Sequence, residues 1–210
     1  MIDVAAEVRR AEERIRPQLL TTPLVPAVGL SAELDSLVLL KCENLQHTGS
    51  FKVRGALNKV LSLAPAELAR GIVTASTGNH GAAVAYAARI VAAEALVLVP
   101  DDANPSKLAA IERLGGRIQV HGSDSVESEM GARALAAEYG ATFISPYNDA
   151  QVIGGQGTLA LELLDQVDSL AAVYVAVGGG GLASGVAGII KALSPSTRII
   201  GCSPAASAGG

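Results

Sequence analysis

Leu45-Gln46-His47-Thr48-Gly49-Ser50-Phe51-Lys52-Val53-Arg54-Gly55-Ala56 sets one lysine between two apolar residues, on what reads as the first turn of a helix. Ser50 is placed to act as its N-cap, and Val53, Ala56, Leu57, Val60 and Leu61 keep helical spacing behind it. Lys52 then falls among the N–H groups left free at a helix start, where a positive potential disfavours the ammonium form. Burial would lower its pKa further, and a neutral amine in a dry pocket is what imine chemistry with an aldehyde cofactor requires. Taken alone, the segment reads more simply as an amphipathic helix with a solvated lysine, because lysines are seldom fully buried.

Two glycine-rich turns change that balance. Gly178-Gly179-Gly180-Gly181-Leu182 follows an apolar strand and opens a helix, so successive backbone N–H groups can approach a phosphate without side-chain obstruction. Ser76-Thr77-Gly78-Asn79-His80-Gly81 repeats the arrangement, with two hydroxyls, an amide and helix-start N–H groups suited to a carboxylate and a phenolic oxygen. Ser, Thr, Gly and Asn are also ordinary turn and cap residues. The tetraglycine run fits a dinucleotide fingerprint as well, but the following strand ends in Cys202-Ser203-Pro204, where an acid for the ribose hydroxyls is expected.

Strand-like runs at 38–40, 72–75, 95–99, 117–120, 172–177 and 198–201 alternate with helix-like segments at 3–16, 51–63, 81–90, 105–114, 123–139, 150–167 and 182–193. That order predicts an α/β fold of mostly parallel twisted sheets flanked by helices, with ligands at the carboxyl ends of the strands. Gly115-Gly116 and Gly140 read as helix stops, and Gly154, Gly155 and Gly157 as close-packing positions.

Half of the 210 residues are apolar, enough for a sizeable core. With 3% aromatic residues, no Trp and a net charge of -4, no nucleic acid partner is expected. Cys42 and Cys202 have no metal spacing, His47 and His121 read as solvated or loop histidines, and no metal site is expected. Residues 169–190 carry no charge over 22 positions, but four central glycines would break a spanning helix, so no membrane segment is expected. The charged 1–16 pattern is unlike a signal peptide, and a cytoplasmic location is expected.

Residues 44–56 with the two glycine turns, in that order, resemble the pyridoxal-phosphate enzymes of fold type II, in the threonine/serine dehydratase and serine racemase group. The likeness runs from about residue 22 to 201. It implies two lobes, tryptophan synthase β-like: a larger, discontinuous, cofactor-binding one from 1–70 and 146–210, and a smaller one from 71–145. It implies pyridoxal 5'-phosphate as cofactor, Lys52 as the Schiff-base lysine, and Phe51 packed on the pyridine ring. Asn79 would bond the ring oxygen, and Gly178, Gly179, Gly180, Gly181 and Leu182 would hold the phosphate. Ser76, Thr77, Asn79 and His80 would bind the substrate, and Thr77 stands where serine racemases place a second acid/base. The activity implied is α,β-elimination of a hydroxy amino acid to a 2-keto acid and ammonia, with serine racemisation as the alternative, in a protein that is a homodimer at full length. Serine, threonine, 3-hydroxyaspartate and hydroxyectoine-derived compounds would share these motifs. Ser203 stands where metal-binding members carry a glutamate, so no cation is expected there. The family's core continues beyond position 210, so a missing C-terminal part is expected, and a truncated, inactive copy of the fold is the reading from a different class.

Overall fold

The computed structural model describes residues 2–205; positions 206–210 of the expected larger lobe lie outside them. The chain opens with α1 (Val4–Ile15), whose Asp3 side chain caps it by accepting from the Ala6 N–H, and whose Val8, Ala11 and Ile15 face the interior. An antiparallel pair, β1 (Leu24–Pro26) and β2 (Leu39–Lys41), flanks the short α2 (Val28–Glu33). Next come α3 (Lys52–Leu61) and α4 (Pro65–Leu68).

A parallel four-stranded sheet follows, built by alternation: β3 (Ile72–Ala75), α5 (Asn79–Ile90), β4 (Ala95–Val99), α6 (Pro105–Arg113), β5 (Arg117–Val120), α7 (Ser125–Tyr139) and β6 (Thr142–Phe143). Its spatial order is β5-β4-β3-β6. The chain therefore winds outward from β3 to β5 and then returns to the other side of β3, which makes the β3/β6 boundary the topological switch point. Ile72, Val73 and Thr74 are buried on both faces, the condition for an apolar parallel strand. The chain then runs through α8 (Ala150–Gln166), β7 (Ala172–Ala176), α9 (Gly181–Leu193) and β8 (Arg198–Cys202), with β7 and β8 parallel.

Helix α8 is the axis on which this second part packs. Its Gly154 lies against Glu7 of α1, Gly155 against the Arg54 carbonyl and Gly55 of α3, and Gly157 against Gly185 of α9. A Cβ at Gly155 would overlap backbone atoms, which cannot give way, so the close-packing expectation holds. One apolar cluster then joins the two parts: Ile15, Val53, Leu57 and Val152 with Ile72, Val84, Ala88 and Ile144.

Several local expectations need correction. Ser50 does not cap α3: Phe51 occupies the N-cap position, and the Ser50 hydroxyl is buried without a partner. Asn79, His80 and Gly181 already lie inside helices rather than in the preceding turns. His47 is exposed, yet its ring stacks on Tyr86 of α5 with centroids 5.5 Å apart. The stops at Gly115 and Gly140 stand: both have positive φ, +98° and +66°.

Candidate active site

Strand β3 ends at Ala75, and the chain then turns through Ser76, Thr77 and Gly78 into α5, while β6 ends beside it and leads through Ser145 into Pro146 and Tyr147. The gap at this switch point is a cavity of about 670 Å³, lined by Ala75, Ser76, Thr77, Asn79 and His80 on one side and Pro146 and Tyr147 on the other. Lys52 enters from the first turn of α3, and the exposed face of α7 closes the wall with Ser125, Val126, Glu129, Met130 and Arg133. The lysine and the first glycine turn, about 25 positions apart in sequence, thus share one cavity.

Lys52 is half-buried, and its Nζ donates to the Pro146 carbonyl oxygen at 2.9 Å. Burial lowers its pKa from the ordinary lysine value, because the ammonium loses hydration and gains no carboxylate. His80 is buried at the start of α5. Its Nε2 lies 3.2 Å from the Ile144 carbonyl and, facing an acceptor, carries the proton; its Nδ1 is a buried lone pair without a partner. Burial first, and the Lys52 charge second, push the His80 pKa down to about 4, against the opposing Ile144 hydrogen bond. The imidazole is therefore neutral at pH 7.

Ser76 and Thr77 are half-buried, and Asn79 is exposed at the cavity mouth. The Ser76 hydroxyl accepts from the Gly78 N–H at 3.2 Å, which shapes the turn. Phe51 does not line the cavity; it is half-buried against the cluster of α8 and α9, with Lys52 Nζ 5.4 Å from its ring centroid. The tetraglycine turn stands directly behind Tyr147: a Cβ at Gly179 would strike the Tyr147 ring, and one at Gly181 would come within 2.9 Å of its Cα. Gly178 and Gly180 face open space, Gly180 at a φ of +83° that favours glycine, and Leu182 is half-buried at the α9 start. The turn is thus next to the cavity and separated from it by one side chain.

Helix caps distinguish this side of the molecule. Among the longer helices, α1, α6, α7 and α8 are capped by Asp3, Asn104, Asp124 and Asp149. In contrast, α3, α5 and α9, which start around Lys52 and the two glycine turns, carry no side-chain cap among the described residues. Their first-turn N–H groups are open to an anion. Three uncapped starts, an open glycine turn and a lysine of lowered pKa fit an aldehyde cofactor bearing a phosphate.

Tyr147, Pro146 and the α7 residues were not anticipated as lining. Tyr147 follows the two-residue β6, which pairs with β3 and so brings it to the edge where Ser76 stands. No group of three His, Cys, Asp or Glu side chains able to hold a metal occurs among the described residues, and no described helix is long and apolar enough to cross a membrane.

A serine racemase of Arabidopsis thaliana is 41% identical over 197 residues, covering 94% of this chain and 60% of its own length. An L-threonine ammonia-lyase of Geobacter sulfurreducens is 38% identical over 199 residues, covering 95% and 50%. The structure of maize serine racemase matches with a TM-score of 0.92 at 37% identity, over 96% of this chain and 61% of that one. The chain therefore spans between 50% and 61% of the length of these proteins. Residues 15–209 match the family described as pyridoxal-phosphate dependent enzyme, whose cofactor suits the lysine and the uncapped helix starts, and the chain belongs to that family.

Proposed function

We propose that the protein is a pyridoxal-phosphate-dependent ammonia-lyase that removes water and then ammonia from a hydroxy amino acid such as threonine or serine, with Lys52 as its catalytic base. The observation that carries this reading is the half-buried Lys52 amine, held on Pro146 O in one cavity with the turn 76–80, where burial lowers its pKa. Bound pyridoxal phosphate supplies the aldehyde that takes up an amine and an electron-poor ring that acidifies the substrate Cα–H bond. The Lys52 amine, whose ammonium form burial disfavours, would accept that proton, and Pro146 O holds the amine at the cavity wall beforehand. The N–H groups at the α5 start, with Ser76, Thr77 and neutral His80, would orient the substrate carboxylate, and Asn79 would donate to the ring oxygen. Gly178, Gly179, Gly180, Gly181 and Leu182 at the α9 start would hold the phosphate, with the Tyr147 ring displaced from Gly179. Phe51, outside the cavity lining and 5.4 Å from Lys52 Nζ, would support the ring only from behind the lysine.

Thr77 favours a second reading: it lines the same cavity as Lys52, and its hydroxyl would serve as a second proton donor for racemisation. Two lobes, 71–145 and the remainder, a homodimer and a cytoplasmic location belong to the same proposal; the four-stranded sheet falling within 71–145 and the free thiols of Cys42 and Cys202 support it.

The test is the visible absorbance of the purified chain with pyridoxal phosphate, beside Lys52→Ala. A band bleached by borohydride and missing in the variant is expected. A folded chain with no lysine-dependent band would sink the reading and leave a catalytically silent copy of the fold. Assays for keto acid and for D-amino acid then separate elimination from racemisation.

A further inference from the structure

Two residues beyond Lys52 stands Arg54, with no exposed surface at all. Its guanidinium grips Glu43 in a fork, Nε to Oε2 and Nη2 to Oε1, both 2.8 Å. The remaining nitrogen, Nη1, reaches α8, donating to Glu162 Oε1 at 2.8 Å and to the Thr158 hydroxyl at 3.2 Å. Glu162 also accepts from Lys41 at 2.5 Å and Arg16 at 2.6 Å, and Thr22 donates to Glu43 at 2.6 Å. Burial alone would raise the Glu162 pKa, but Arg54, then Lys41 and Arg16, bring it down to about 2. Replacing such a buried ionic cluster by apolar side chains often leaves stability unchanged, so stability alone is a poor account of it.

Its position gives a better one. Residues two apart on a helix point about 200° from each other, so with Arg54 fixed inward Lys52 is fixed outward. The rest of α3 runs antiparallel along α8 in the same register: Gly55 N–H to Gln156 Oε1 at 3.2 Å, Asn58 to the Gln151 carbonyl at 2.7 Å, Lys59 to Asp149 at 2.8 Å. Pro146, whose carbonyl holds the Lys52 amine, lies just ahead of the α8 start. With no side-chain cap of its own, the first turn of α3 takes its azimuth from α8.

We infer that Arg54 is a positioning residue for Lys52: its Glu162 and Thr158 bonds lock α3 onto α8 and so keep the lysine amine on the Pro146 carbonyl at the cavity wall. The inference gains its catalytic meaning from the function proposed above, but the placement itself can be measured without cofactor. The Lys52 amine meets Pro146 O and has neutral His80 beside it, and Glu129 and Arg133 of α7, paired with each other at 2.8 Å, line the same cavity; Arg54 and Lys59 of α3 pair instead with Glu162 and Asp149.

The experiment acylates the amines of the full chain with acetic anhydride across pH and quantifies each lysine by mass spectrometry, in the parent, Arg54→Lys and Lys41→Met. In Arg54→Lys, which keeps a cation but loses the fork, the pH midpoint of Lys52 is expected to rise towards that of a solvated lysine. Its labelling at neutral pH is expected to fall roughly three- to tenfold, while Lys107 and Lys191 stay unchanged. Lys41→Met removes another cation from Glu162 without touching α3 and should leave Lys52 alone, whatever melting temperature it loses. An unmoved Lys52 profile in Arg54→Lys, or the same shift in Lys41→Met, overturns the inference. If Arg54→Lys does not fold, Thr158→Val, which removes the Thr158 arm of the α3–α8 contact and leaves the Glu162 pairs to Lys41 and Arg16 in place, decides by the same criterion. Borohydride trapping with pyridoxal phosphate is read separately: a Lys52 that responds to Arg54 but never takes up cofactor leaves the positioning standing and removes the enzymatic reading.

Discussion

Single residues in this chain divide by whether their surroundings can yield. Gly155 and Gly178 both belong to glycine-rich runs, yet their contexts are opposite. A methyl group at Gly155 meets the Arg54 carbonyl and the Gly55 Cα, whereas at Gly178 it meets nothing within 4 Å. Gly155→Ala is therefore expected to cost about 1–3 kcal/mol in urea unfolding, since two helix backbones must move apart. Gly178→Ala should leave the urea midpoint within experimental scatter and weaken pyridoxal phosphate binding, read by titration of the absorbance band. Lys52, Ser76, Thr77, Asn79 and His80 do line one cavity, and that they belong together was legible because motif chemistry is carried by residue type. Arg54 was not, because an arginine after a lysine reads as surface charge until Glu43 and Glu162, far away in sequence, are seen around it.

Among elements, caps carry information that periodicity lacks. Asp149 accepts from the Gln151 and Val152 N–H groups at 2.8 and 3.0 Å and also pairs with Lys59 of α3. Asp149→Ala should lower stability by about 1 kcal/mol and should do so in thermal melts with or without cofactor. The long helices and the strands flanking them were readable because their apolar spacing is regular over many residues. The antiparallel β1 and the two-residue β6 were not, since segments of two or three residues leave no period to detect. Missing β6 also hid the switch point beside β3, and with it the part played by Pro146 and Tyr147. Helix α7 escaped notice as a cavity wall because its lining residues are solvent-facing polar and apolar side chains in mixed order.

For the molecule as a whole, two titrating groups with depressed pKa values, His80 and Glu162, contribute to the loss of stability in acid. His80 has its folded pKa depressed to about 4 from 6.5, so the unfolded chain binds a proton first as pH falls and stability declines between those values. Glu162 is depressed to about 2 from 4.5; the stability it contributes is complete above 4.5 and is lost as pH drops towards 2. Melting temperature followed from pH 7 downwards should therefore begin to fall near 6.5, ahead of the carboxylate range, and His80→Asn should remove that early decline while keeping the later one. An unchanged early slope in the variant would mean that His80 is not the group responsible.

One contact bears on how the Lys52 pocket will look to genetics. The amine rests on a main-chain oxygen, that of Pro146, which every amino acid at that position would also present. Scanning mutagenesis of 146 will thus report ring and backbone stiffness while the acceptor itself stays intact, and a tolerant position there would say nothing about the strength of the bond. The contact becomes visible only to chemistry that edits the peptide group: a carbon-13 label on the 146 carbonyl, followed by its infrared frequency, would show the lysine arriving and departing as an event in the backbone rather than in any side chain.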